Sequence, residues 1–302
     1  MRGKKRVRFY NHDIMRYKMV LMEVSMMKTI RLLYPDYVSG GLETYYFGAN
    51  LMAHILPENE NQLDTGEHPS PTGEEKKVTD GIYGKEEVVS GIVDAMDKIE
   101  DAQPDKIITI GGNCMVSQAP FDYLHGKYGN LGLIWIDAHP DVSATKDGYP
   151  NAHAMVLRSL LGQGDAALSD LMKSPKFDSK DILYIGLQDL HDYQRNFLDD
   201  MGVRYKIQTE EFVTDQEIRA FAGRFDHVLV HFDIDVLDER FFHATYFANP
   251  DLIGDGSGGG KMTLEKLSEI LQTIQDCSDI VGFTIAEYLP FEPIGSIRCF
   301  PT

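Results

Sequence analysis

Two acid-rich clusters, each placed where an apolar run stops, are the parts of this chain best equipped for chemistry. Asp137-Ala138-His139-Pro140-Asp141 follows Leu133-Ile134-Trp135-Ile136, and Asp233-Ile234-Asp235-Val236-Leu237-Asp238 follows His227-Val228-Leu229-Val230-His231-Phe232. Apolar runs of this kind read as strands buried on both faces. In open α/β sheets, ligands bind just beyond the carboxyl ends of the strands. Carboxylates and an imidazole crowded there would repel and stay poorly solvated unless a cation joined them, and a divalent metal is the simplest remedy. Two such strand ends point to one site holding more than one ion. A structural reading competes: the same Asp residues would cap loops and turns, His139 would be a satisfied polar residue, and Asp238 would orient its own loop.

The elements that must position these residues alternate along the chain. Strand patterns fall at residues 29–34, 106–110, 131–136, 182–185, 203–207, 228–232 and 280–285. Helical patterns fall between them, at 42–56, 85–99, 117–126, 153–161, 192–201 and 214–222, with a further helix starting after Thr263 as its N-cap. Val88, Val89, Ile92, Met96 and Ile99 share one helical face. Residues 57–79, rich in Glu, Pro, Asn and Gly, read as a loop. The alternation predicts an α/β fold with a mostly parallel sheet and helices on both faces, a three-layer α/β/α arrangement. The Gly-rich tract at 254–260 lacks the Lys-Ser/Thr ending of a phosphate loop and follows no clear strand. Residues 1–26 read as an extension outside the core. Glu23 interrupts their apolar part, no small-residue cleavage site follows, and Met27 precedes the first strand directly. Residues 27–302 read as a single domain.

Composition narrows the partners. With 302 residues and 43% hydrophobic content the chain can bury a sizeable core. A formal net charge of −18 argues against nonspecific nucleic-acid binding and against anionic membrane surfaces. Three cysteines, Cys114, Cys277 and Cys299, form no disulfide framework, so a reducing cytoplasm is expected. No apolar run is long enough to span a bilayer as a helix. His231, Cys277 and Cys299 read as structural rather than reactive.

The motifs occur in an order that resembles the ureohydrolase family of arginases, agmatinases and formiminoglutamases. Gly111-Gly112-Asn113-Cys114 is similar to the family's Gly-Gly-Asp-His, Asp137 to Asp141 to its Asp-Ala-His-x-Asp, and Asp233 to Asp238 to its Asp-x-Asp-x-x-Asp. Asn151-Ala152-His153-Ala154 and Ala286-Glu287-Tyr288-Leu289-Pro290 are similar to two further family segments. The resemblance spans roughly residues 29–290. It implies that Asp137, His139, Asp141, Asp233 and Asp235 bind two Mn²⁺ ions, bridged by Asp137 and Asp233, and activate a water that attacks a guanidinium carbon. It implies that His153 shuttles a proton to the leaving amine and that Glu287 holds the guanidinium. Cys114, a ligand by the same resemblance, stands where the family has a metal-binding His; thiolate would shift that position toward Zn²⁺ or Fe²⁺. Ser143, His191 and a segment before His153 one residue shorter than in arginases change the wall that would face a substrate's amino and carboxylate groups. The resemblance further implies a small guanidino or formimino substrate, release of urea or formamide, and a trimer or hexamer. Two alternatives stay open: a degenerate relative that only binds or regulates, and a related metal-dependent amide hydrolase.

Overall fold

The structure is a computed structural model that describes residues 27–64, 70–209, 211–252, 254 and 256–291. Residues 1–26 and Cys299, both named above, lie outside the described residues. Seven strands form one sheet: β1 (Thr29–Tyr34), β2 (Gln62–Asp64), β5 (Lys106–Gly111), β6 (Leu131–Ile136), β7 (Ile182–Ile185), β8 (His227–Asp233) and β9 (Asp279–Ala286). Their order is β2-β1-β5-β9-β8-β6-β7, and every pairing is parallel. Two short strands, β3 (Val78–Thr79) and β4 (Ile82–Tyr83), make a separate antiparallel pair.

Alternation along the strands feeds two helical layers. Leu131, Leu133 and Trp135 of β6 pack with Val88, Ile92 and Ile99 of α2 (Lys85–Ala102) and with Phe121 and Leu124 of α3 (Gln118–Lys127). Here α1 is Thr44–Ile55. The intervening Ile134 and Ile136 pack on the other face, with Ile218 and Ile270 from the helices Asp215–Ala222 and Leu264–Cys277. Burial on both faces explains why these strands read as unbroken apolar runs. Thr263 accepts a hydrogen bond from Lys266 N as the N-cap of the last helix, a contact of the kind that stabilises a helix by about 1 kcal/mol. No helix among the described residues is long and apolar enough to cross a membrane.

Three sequence expectations need correction. Residues 203–207 form no strand: Val203 and Ile207 are buried, but as anchors of a loop with no ladder partner. The loop expected at 57–79 contains β2, recruited by the otherwise unpaired side of β1, and also β3. The helix expected from 153 begins as a 3₁₀ turn, Ala152–Met155, and becomes α-helical only at Val156–Leu160.

Candidate metal centre

Four adjacent strands, β5, β9, β8 and β6, aim their carboxyl ends at one spot. Just past β5 lies Cys114, past β9 lies Glu287, at and past the end of β8 lie Asp233 and Asp235, and past β6 lie Asp137, His139 and Asp141. One ligand atom from each of Asp137, His139 and Asp235 lies within 4.8 Å of the others, and the same holds for Asp233, Asp235 and Glu287. The sequence-derived residues therefore meet in space. Asp141 and His153 line the same pocket as Cys114, His139, Asp233, Asp235 and Glu287.

Local hydrogen bonding fixes the carboxylates. Asp137 Oδ1 accepts from His139 N at 2.6 Å, and Asp233 Oδ1 accepts from Asp235 N at 2.7 Å. Each Asp thus pins the turn that follows its strand. The other oxygens face Cys114, whose Sγ is 4.0 Å from Asp137 Oδ2 and 2.7 Å from Asp233 Oδ2. Trp135 Nε1 donates to Asp137 Oδ2 at 3.0 Å. His139 Nδ1 lies 2.9 Å from Asp235 Oδ2. Glu287 is held from two sides: Tyr45 donates its hydroxyl to Oε2 at 3.0 Å, and His153 Nδ1 is 2.9 Å from Oε1. The far nitrogen of His153 lies 3.1 Å from the Tyr149 hydroxyl. Asp141 and Glu287 adopt φ of +51° and +64°, a left-handed conformation costly for residues with a side chain and concentrated at functional sites. Gly112 is required beside them: a Cβ there would lie 1.8 Å from the Asp36 carbonyl oxygen, and its own carbonyl accepts from Glu287 N at 3.0 Å.

The electrostatics are unbalanced without a cation. Burial, reinforced by neighbouring carboxylates, pushes Asp137 and Asp233 well above the usual carboxylate range. Burial raises Asp141 to about 7, although His153 and His139 oppose it. Burial would raise Asp235 too, but contact with His139 outweighs it and leaves its pKa lowered. The same contact overcomes the desolvation of His139 and lifts its pKa to about 9. His153 is likewise held above its ordinary value, with Tyr149 and Glu287 overriding burial. Burial and then Asp141 push the Cys114 thiol up. Three buried atoms in this region, His139 Nε2, Asp141 Oδ2 and His231 Nε2, have no hydrogen-bond partner. Orphaned donors and acceptors beside crowded acids fit bound divalent cations, which would satisfy both at once.

The outer wall is aromatic and neutral. Tyr149, Tyr246, Phe247, Ser143, Asn151, Gln194 and Ser257 line it, and no Lys or Arg is among the described lining residues. The cavity measures about 110 Å³, small beside the roughly 300–1,000 Å³ of drug-sized sites. Ser143 Oγ is 3.0 Å from the Tyr193 hydroxyl, and His191 stands behind Ser257, its Nε2 3.2 Å from that Oγ. Asp238 stays out of the cluster: it caps its loop and pairs with Arg240, which draws its pKa down to about 2.

Sequence reasoning read His231 as structural and passed over Tyr45 and Tyr149. A signal existed for His231, since it sits two residues before Asp233 and shares its strand face. None existed for Tyr45, 242 residues from the Glu287 it bonds.

Residues 39–296 match the arginase family. The chain is 28% identical to an arginase of Staphylococcus aureus over 139 residues, 43% of this chain and 46% of that protein, so it matches about half the length of that relative. It is 27% identical to an agmatinase of Bacillus cereus over 256 residues, 84% of this chain and 74% of that protein. Its fold is similar to that of an Entamoeba histolytica arginase solved with L-ornithine, with a TM-score of 0.67 at 19% identity, covering 88% of this chain and 92% of the other.

Proposed function

The chain belongs to the arginase family, and from that premise we propose that it hydrolyses a linear C–N bond in a small guanidino or formimino compound, releasing urea or formamide. The observation that carries this reading is the meeting of Asp137, His139, Asp141, Asp233 and Asp235 at adjacent strand ends, with the orphaned atoms of His139 and Asp141 among them. Cys114, Asp137, His139, Asp141, Asp233 and Asp235 would hold two divalent ions, and the carboxylates and imidazole at His139 and Asp235 are a donor set suited to Mn²⁺. Bound there, the ions supply Lewis acidity and a water whose pKa is lowered toward neutrality.

The remaining work falls to the chain's own side chains. Glu287, fixed by Tyr45 and His153, presents its carboxylate for charge-assisted hydrogen bonds to the substrate guanidinium. His153, held above its ordinary pKa by Tyr149 and Glu287 against burial, carries a proton at Nδ1 and passes it to the leaving amine. Tyr149 fixes the opposite ring nitrogen and so the direction of that transfer. Tyr246 and Phe247 add apolar surface to the pocket wall. The wall, with no Lys or Arg among its described residues, favours a substrate tail that carries no carboxylate. We further propose a cytoplasmic location, in keeping with the unpaired thiols of Cys114 and Cys277, and a trimeric or hexameric assembly by family resemblance.

The test is a release assay for urea, ammonia and formamide on a panel of guanidino and formimino compounds, using protein reconstituted with Mn²⁺, Zn²⁺ or both. Turnover of at least one compound that vanishes in His153→Ala is expected. No turnover of any compound by fully metal-loaded protein would leave a binding role instead.

A further inference from the structure

His231 is a fully buried histidine on β8, flanked by the apolar Val228, Leu229, Val230 and Phe232. Trp135 stacks on it at 3.7 Å between centroids and 13° between planes, which fixes the ring plane. Its Nδ1 lies 2.8 Å from Ser117 Oγ. Its Nε2 has no hydrogen-bond partner and lies 3.7 Å from Asp137 Oδ2. With Nδ1 turned to Ser117, Nε2 and the Asp137 oxygen face each other across a gap too long for a hydrogen bond, an unsatisfied contact between two potential metal donors. A cation between the two atoms turns it into a favourable one. An imidazole whose second nitrogen donates to a neighbour is also the usual arrangement of a metal-bound histidine.

One ligand atom from each of Cys114, Asp137, His231 and Asp233 lies within 4.8 Å of the other three. In a tetrahedral zinc site, with Zn–S near 2.3 Å and Zn–N or Zn–O near 2.0 Å, neighbouring donors are separated by about 3.3–3.5 Å. The separations of 3.7 Å (His231 to Asp137) and 4.0 Å (Cys114 to Asp137) need only a few tenths of an ångström of closure. The 2.7 Å contact between Cys114 and Asp233 must open once the thiol proton is replaced by the metal.

We propose that Cys114, His231, Asp137 and Asp233 form a four-donor site that takes Zn²⁺ or Co²⁺ in preference to Mn²⁺, with Ser117 positioning the His231 ring. This deepens the two-ion reading above and rests on it for the presence of metal, but it changes the chemistry of one position. A thiolate and an imidazole make that position softer than an all-oxygen-and-imidazole set, and softer donors select zinc. The position is also deeper than its neighbour, because His231 has no exposed surface whereas His139 opens onto the pocket. The centre is then heteronuclear in preference: a zinc-selective position toward β5 and an Mn²⁺-compatible position at His139 and Asp235.

The experiment titrates metal-free full-length protein with Co²⁺ and reads the near-ultraviolet thiolate-to-cobalt charge-transfer band, then repeats the titration in competition with Zn²⁺ and Mn²⁺. In wild type the first equivalent should give the band, and Zn²⁺ but not Mn²⁺ should displace it. Cys114→Ser should lose the band. His231→Gln should keep it but bind the first equivalent at least 100-fold more weakly, a larger loss than the roughly 10–100-fold typical of outer partners. Ser117→Ala should fall within that smaller range. Cobalt binding without a thiolate band, or His231→Gln binding as tightly as wild type, would overturn the proposal. Should a variant fail to fold, as judged by circular dichroism, X-ray absorption on wild type with one equivalent of Zn²⁺ decides. One sulfur near 2.3 Å with an imidazole near 2.0 Å supports the site, and an oxygen-and-nitrogen shell without sulfur overturns it. Failure of the proposed hydrolase function reads differently, as fully loaded protein with this coordination intact and no turnover.

Discussion

Replacing Asp233 by Asn should make the metal-free protein more stable and the metal-loaded protein less stable than wild type. Asp233 is buried, and its ligand oxygens lie within 4.8 Å of those of Asp137, Asp235 and Glu287. Two unit charges 4.8 Å apart repel by about 3.5 kcal/mol at an effective dielectric of 20. Wild type escapes part of this by holding protons, since burial and the neighbouring carboxylates raise the pKa of Asp233. A net gain of about 1–3 kcal/mol remains for the metal-free variant at neutral pH. Asn keeps an oxygen to accept from Asp235 N, so the turn is preserved. At about 2–4 °C per kcal/mol, the metal-free variant should melt some degrees higher. The advantage should grow with pH. A carboxylate with a raised pKa is least unfavourable while protonated, so wild type loses stability as the pH climbs from about 4 through the folded-state value, which for Asp141 is about 7. With metal at 100 times its Kd, wild type gains about 2.7 kcal/mol by linkage, and the variant, missing a shared ligand, gains little. Differential scanning calorimetry after chelation and after reconstitution reads both signs. A variant that melts below wild type in both conditions would refute the reasoning and mark Asp233 as a structural cap.

L-Arginine should be turned over with a kcat/KM about 10–100-fold below that of 4-aminobutylguanidine, the cost of roughly 1–3 kcal/mol for an ill-satisfied carboxylate, because no Lys or Arg is among the described lining residues; equal efficiencies in a steady-state assay would contradict this. Gly112→Ala should cost about 1–3 kcal/mol or more and weaken metal binding in the same protein, since the new Cβ meets the Asp36 carbonyl and the displaced backbone carries the Glu287 contact; urea unfolding and metal titration of one preparation check both losses together. Glu217, drawn down to about 2 by Lys206 and the Thr214 cap, should contribute up to about 0.5 kcal/mol at pH 7 after solvent screening. That contribution is present above the unfolded-state value of about 4.5 and lost as the pH falls toward the folded one, so the difference between wild type and Glu217→Gln in urea midpoints should vanish near pH 2.

The strands that carry the site were legible because burial on both faces forces unbroken apolar runs, and Asp137 and Asp233 interrupt those runs abruptly. The sheet's edge was not. Gln62-Leu63-Asp64 is short and polar, and pairs only because β1 offers it an unfilled ladder. The stretch 203–207 failed in the opposite sense: Val203 and Ile207 are apolar for burial, without a strand to pair with. Within the site, spacing brought out residues on one strand end but not contacts between distant ones. The grip on Glu287 joins residues 45, 153 and 287 and leaves no periodic trace. The left-handed backbones of Asp141 and Glu287 were equally invisible, because neither is a glycine. His231 was hidden by its surroundings, a polar residue in an apolar strand that looked like a tolerated core histidine until its Nε2 proved to face Asp137.

The two-ion centre is tested most directly by anomalous diffraction from crystals of the metal-reconstituted protein. Two anomalous peaks about 3.5–4 Å apart are expected, one among Cys114, Asp137, His231 and Asp233 and the other among Asp137, His139 and Asp235. At saturating metal, a single peak, no peak, or peaks away from the ends of β5, β6 and β8 would contradict it.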